Sequence, residues 1–559
     1  MKKLLALLAS GSFLVSTTST TVVACSFSLK DIESFQYNFN LGEMSEVNQR
    51  EVIKRIAKIN NITVNSKKDI ERIANFQFDV NSIREESYTI INSNFNLKSE
   101  NENEEELKNY VATIRVSEYS WIAKGTATIH FQATDKTVKK AQNPIEQSES
   151  SLMGYWWNWG NDIEGVGSLS WRQPKLASVI ESENNPYDII NISSLYTKEK
   201  EGDINSLNIN DFITEPEGAD SGVYDVDNSK YLIDRKQKQI DGSWEDDTKI
   251  ITNWGGATAD RMIWKWKQKD KLRDRMYFLL DSYGLDGISL AIAGKTLYNR
   301  ESQATISQVI KEIMIIYWLN DKDFYLSLST KIQWLFKDGV STNKPTSIPF
   351  IEDLAGWYEC IDLLMYNVYR DVNFVTAKED ISISYKDNTT VIKKGEKIKS
   401  TYGNGKEEDP AYFYGTLKNL IDKKWNEQAE VYYLGDKPVK IGVASTYSSS
   451  ASGFSMKNDD EPENGESNLA AALTKLHEDK NEWGNSITNN LLGLGFFGVN
   501  IDQILSNPIP KLPIKEELFE NQGESTSKGP TNPKNWNNGL NLKKFIEYSE
   551  KYKNSKTRF

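Results

Sequence analysis

Aromatic side chains close several short apolar runs in this 559-residue chain, and such faces, with a polar handle at one edge, stack on sugar rings. Tyr155 and Trp159 lie in Leu152–Trp159, Trp254 in Lys249–Gly255, Tyr366 and Asn367 in Ile361–Tyr369, and Phe497 in Gly493–Ile501. Side chains for other chemistries are scarce. Two histidines, His130 and His477, leave little from which to build a metal site or a Ser/His/Asp triad, so no metal and no organic cofactor is implied. Asp286 opens the run Gly287–Ala293, and the alternate positions after it hold Ser289, Ala291 and Ala293. Period two turns these three to one side of a strand. None of them is a carboxyl, and a methyl group cannot donate a proton.

These residues sit in a regular alternation. From Leu152 onward eight apolar runs recur: Leu152–Trp159, Tyr187–Leu195, Lys249–Gly255, Gly287–Ala293, Phe324–Ser329, Ile361–Tyr369, Val439–Ala444 and Gly493–Ile501. Helical patterns at Arg261–Ser282, Ser302–Leu319, Gly415–Gln428 and Asn468–His477 fall between them. Strand runs alternating with helices argue for βαβ units and a parallel sheet, and eight of them predict an α/β fold, a (β/α)₈ TIM barrel with site residues at the C-terminal strand ends. Insertions after the second run (Thr197–Asp246) and the sixth (Asp371–Asp409, with a hairpin-like Ile381–Ile398) would wall that rim. Ahead of the barrel, residues 26–134 read as a small α+β domain. Helices are expected over Glu46–Ile59 and Ser66–Phe76, the latter capped by Ser66, with strands at Ser87–Phe95, Tyr110–Val116 and Gly125–Ala133. Residues 135–151 are polar and read as a linker, the barrel spans 152–505, and 506–559 forms a C-terminal extension ending in the amphipathic stretch Leu540–Tyr552.

Residues 1–25 carry a different signal. Lys2 and Lys3 precede an apolar stretch, Leu4–Val15, of secretory length and too short to span a bilayer. Val22-Val23-Ala24-Cys25 then resembles the bacterial lipobox, in which the cysteine is lipidated and the preceding peptide removed. The resemblance implies a lipoprotein anchored to the cell membrane through Cys25 and displayed on the extracellular face. The other cysteine, Cys360, reads as a small buried hydrophobe. A net charge of −12 and a pI near 5.1 argue against nucleic acid as a partner.

The strand runs carry a second resemblance. Met153–Gly160 (MGYWWNWG), Tyr187–Ser193 (YDIINIS), Lys249–Ala257 (KIITNWGGA) and Tyr283–Gly294 (YGLDGISLAIAG) resemble, in order, the first four strands of glycoside hydrolase family 18, the chitinases and endo-β-N-acetylglucosaminidases. Phe324–Thr330, Leu363–Asn367, Val439–Ser445 and Gly493–Asp502 are similar to its fifth to eighth strands. The family's fourth strand carries DGxDxDxE. Its Glu protonates the leaving oxygen, and the Asp two positions earlier orients the substrate's acetamido group, which itself attacks the anomeric carbon. Here only Asp286 matches, while Ser289, Ala291 and Ala293 replace the second Asp, the third Asp and the Glu. Tyr155 and the Tyr366-Asn367 pair match family site positions, and Phe497 stands where the family has a tryptophan under the sugar.

The resemblance thus implies a chitinase-like barrel without its catalytic acid. It would bind N-acetylglucosamine-containing glycans through Tyr155, Trp159, Trp254, Tyr366, Asn367 and Phe497. Two alternatives stay open. One is an active glycoside hydrolase using a displaced carboxylate, with Glu301 and Asp321 nearest in sequence. The other is a surface scaffold or antigen that binds no glycan.

Overall fold

The computed structural model describes residues 29–86, 106–142, 151–156, 162–163, 167–168, 176–181, 185, 187–197, 202–209, 228–244, 246–255, 262–291, 293–335, 337, 344–364, 375–385, 388–398, 410–426, 431–435, 437–445, 455–456, 468–479 and 491–497. Eight strands form a parallel barrel: β1 (Ser151–Trp156), β2 (Ile189–Thr197), β3 (Lys249–Gly255), β4 (Gly287–Ala291), β5 (Tyr325–Lys331), β6 (Cys360–Leu364), β7 (Val439–Ser445) and β8 (Leu491–Phe497). Each pairs in parallel with the next, and β8 pairs with β1, closing the sheet. All eight expected runs therefore contribute a barrel strand. Closure explains why strand residues are buried on both faces: one face packs outward and the other fills the interior.

Helices Asn228–Ile240, Lys269–Ser282, Pro410–Ile421 and Asn468–Glu478 lie between successive strands in the chain. The expected helix from Arg261 starts later. Lys265 is extended, Trp266–Gln268 forms a 3-10 turn, and regular helix begins at Lys269. The insertion after β6 contains two antiparallel pairs, Ile381–Tyr385 with Asn388–Ile392 and Val375–Thr376 with Lys397–Ile398. After β2 the chain adds an antiparallel strand, Leu207–Ile209.

The chain divides into two compact units. The barrel strands belong to the unit comprising Ile145–Gln303, Asp323–Ile351 and Tyr358–Phe559. The other comprises Met1–Pro144 together with Ala304–Lys322 and Glu352–Trp357, segments that the sequence reading places in the barrel. It contains a four-stranded sheet in the order Asn40–Glu43, Thr126–Ala133, Lys108–Val116, Phe76–Glu85. The helix Gln49–Ile59 buries Val52, Ile53, Ile56 and Ala57, and begins at Asn48, whose side chain accepts the Glu51 N–H at 2.9 Å. Asn48→Ala should therefore cost about 1 kcal/mol, read as a lower urea midpoint at unchanged slope. The second helix, Lys67–Ile73, lacks the cap expected of Ser66. Ser66 Oγ instead accepts the Thr63 N–H at 3.1 Å, and Asp69 is taken up by Tyr37 and Arg72. Asp135–Gln142, in the stretch read as a linker, is helical. The expected strand Ser87–Phe95 lies outside the described residues, as does the C-terminal extension.

Candidate functional site in the barrel interior

A carboxylate that sequence reading passed over sits inside the barrel. Asp362, in the middle of β6, is fully buried, and the Tyr155 hydroxyl donates to its Oδ2. Tyr155 reaches it across the interior from β1. The Tyr155 hydroxyl also lies 3.2 Å from Ser329 Oγ on β5, and Ser329 Oγ is 2.7 Å from Ser289 Oγ on β4. Four strands thus meet in one polar chain. Glycine makes room for it: a Cβ on Gly495 of β8 would stand 3.2 Å from Asp362 Oδ2 and 3.3 Å from the Tyr155 ring.

The parallel register accounts for this meeting. Tyr155 pairs with Asn191, Asn253 with Ser289, Ser329 with Asp362, and Asp362 with Lys440. In a closed eight-stranded barrel the inward residues of alternate strands stack in layers of four. Asn191, Ser289, Asp362 and Gly495 come from the even strands. Tyr155, Asn253 and Ser329 come from the odd strands and lie one step nearer the C-terminal ends. Exposure follows the same order. Asn191, Ser289 and Asp362 are 0% exposed, Tyr155 and Ser329 3%, and Asn253 and Ala291 7%. The second layer therefore faces the barrel mouth, and Asp362 backs it.

Burial pushes the Asp362 carboxyl up to about 6, with the Tyr155 hydroxyl, the Lys440 charge and the Ser329 hydroxyl pulling the other way. Among the described residues, Asp362 Oδ1, both amide atoms of Asn191 and Oδ1 of Asn253 find no hydrogen-bond partner. Farther toward the N-terminal ends, the Lys440 ammonium donates to the Tyr325 hydroxyl at 2.7 Å, and that hydroxyl is 3.3 Å from Cys360 Sγ. Burial raises the Cys360 thiol, as expected of an inert core cysteine.

The motif positions on β4 are spread along the strand. Asp286 lies just before it, where its carboxylate pairs with Arg235 Nη2 at 2.8 Å and accepts the Ile250 N–H at 2.7 Å. A bond at the N-terminal end of a barrel strand, away from the face where barrel sites lie, ties the strand in place. Ser289 joins the buried chain, Ala291 ends the strand, and Ala293 is extended at the start of a 3-10 turn, Gly294–Tyr298. The neighbouring acids are committed elsewhere: Glu301 accepts the Trp266 N–H at 2.9 Å, and Asp321, in the other unit, pairs with Lys54 at 2.9 Å.

Of the expected glycan-binding residues, Tyr155 is in the cluster. Phe497 stands opposite it in the β8–β1 register. Trp254 departs from the expectation. It follows the inward Asn253, so alternation turns it to the helix side, and it is wholly buried, leaving no open face for a sugar. Trp159, Tyr366 and Asn367 lie outside the described residues, as does Cys25. Among the described residues, no group of three or more His, Cys, Asp or Glu side chains could hold a metal ion, and no helix is long and apolar enough to cross a membrane.

No family model matches the chain, and no curated protein matches it. Solved structures of similar trace include a family 18 chitinase from Chromobacterium violaceum, with 16% identity over 71% of this chain and 83% of that one and a TM-score of 0.42. Another is a putative chitinase A from Streptomyces coelicolor, with 12% identity over 72% of this chain and 99% of that one and a TM-score of 0.41. A family 18 N-acetylglucosaminidase from Paenibacillus barengoltzii shows 10% identity over 66% of this chain and 98% of that one, with a TM-score of 0.33.

Proposed function

We propose that the barrel is a chitinase-like carbohydrate-binding protein that holds N-acetylglucosamine-containing glycans at its C-terminal mouth without hydrolysing them, on a lipoprotein anchored through Cys25. The observation that carries the reading is Ala293. It occupies the position at which the resembling motif has its proton-donating Glu, and its side chain is a methyl. General acid catalysis contributes about 10²- to 10⁴-fold, so its loss removes much of the rate.

Asp362 gives the alternative of a displaced acid its best candidate, since a carboxyl near 6 is well tuned for proton transfer. Its place speaks against that role. It lies in the layer of Ser289, two residues before β4 ends at Ala291, whereas Ala293 comes after the strand, at the start of the 3-10 turn. A fully buried group at that depth does not reach a glycosidic oxygen bound where the motif's Glu would act.

Chitin oligomers and N-glycans test both halves. The expected result is binding on a glycan array with no release of reducing ends above background. Turnover would overturn the inactive reading, and silence across N-acetylglucosamine-bearing glycans would favour a protein-binding scaffold.

A further inference from the structure

We propose that the group a bound glycan presents deepest in the mouth is a protonated amine, so that the barrel prefers glucosamine units to N-acetylglucosamine units. This rests on the glycan reading and sharpens it.

The argument follows the hydroxyl protons. Tyr155 donates its proton to Asp362. With that proton spent, Ser329 must donate in the 3.2 Å bond between its hydroxyl and that of Tyr155. Ser289 and Ser329 are 2.7 Å apart, and with the single Ser329 proton engaged there, Ser289 must be the donor between them. All three protons therefore run toward the carboxylate, and what these groups offer a ligand is lone pairs. Asn253, in the same layer as Tyr155 and Ser329, holds in Oδ1 a further buried acceptor without a partner among the described residues.

Charge points the same way. The titratable groups around Asp362 are Tyr155 on β1, Tyr325 on β5, Lys440 on β7 and Cys360 on its own strand. The nearby cation, Lys440, lies beside Asp362 on β7 and lends it charge, but its ammonium donates to Tyr325 at 2.7 Å, on the side away from the mouth. An ammonium brings three donors and a positive charge to an acceptor-rich floor over a carboxylate. An acetamido carbonyl would bring one more acceptor to a surface of acceptors.

The test is calorimetric titration of the full chain with glucosamine and N-acetylglucosamine oligomers of equal length, at pH 7 and pH 5. At pH 7 the amine oligomer should bind at least about tenfold more tightly, as a charge-assisted contact allows. That preference should collapse in Asp362→Asn. At pH 5 Asp362 takes up a proton, so the preference should fall in the wild type although the ligand amine is then more fully charged. This wild-type pH comparison decides the matter even where the variant does not fold. Equal or tighter binding of the acetylated oligomer at pH 7, or an amine preference that grows at pH 5, overturns the proposal and leaves the glycan reading standing. Binding of neither oligomer overturns both.

Discussion

Asp362→Asn should stabilise the protein by about 3 kcal/mol at pH 7 to 8 and change little at pH 4 and below. Burial raises the folded-state carboxyl from its ordinary 3.8 to about 6, and each unit is worth about 1.4 kcal/mol. The sign follows from linkage. The folded state holds the proton more tightly than the unfolded chain, so the stabilisation from protonation is full below about 4 and is lost as pH rises through about 6. Above that the wild type carries an ionised carboxylate in the barrel centre. Asparagine keeps the shape and an acceptor for Tyr155 without the charge. Urea unfolding across pH 4 to 8 would show the two chains converging at the acid end and separating above pH 5. A difference that does not change with pH, or a variant less stable at pH 7, would sink the account. A charge retained at this disadvantage is the kind that binding sites keep, which is why the same variant also serves the ligand test.

The architecture was largely legible because strand and helix periods differ. Eight apolar runs separated by helical patterns gave both the parallel sheet and its order. Ends are less legible: the helix expected from Arg261 begins regularly only at Lys269, because a periodic pattern does not mark where helical hydrogen bonding starts. Trp254 shows a related limit. Its place at a strand end suggested the rim, whereas its phase against Asn253 decides which side of the sheet it covers. Asp362 was overlooked although a signal existed: a single carboxylate in the apolar run Cys360–Leu364 is costly unless it is partnered. The partners could not be read. Tyr155, Ser289 and Ser329 come from three other strands, and only the closed register, with no Cβ on Gly495, brings them to the same carboxylate.

That register depends on close backbone approach, and Gly287→Ala should be strongly destabilising, at about 2–5 kcal/mol. Gly287 opens β4 and pairs with Ile251 on one side and Tyr325 on the other. A Cβ there would stand 1.9 Å from the Tyr325 carbonyl oxygen and 2.7 Å from its carbon, both backbone atoms that no rotamer change can move. The residue also has a φ of +159°, which adds a backbone penalty for any other side chain. Gly242 supplies the control. Its φ is +70° and a Cβ there meets nothing within 4 Å, so Gly242→Ala isolates the conformational penalty of about 1–2 kcal/mol. Urea midpoints of the two variants separate strain from collision, since overpacking a rigid backbone contact adds about 1–3 kcal/mol to the first. Equal losses would mean that β4 slides away from β5 at little cost. Ser289, two residues along, would then lose its fixed distance to Ser329, and the polar chain to Asp362 would have no rigid frame. A much larger loss for Gly287→Ala places the integrity of the candidate site in the backbone contact that starts its strand.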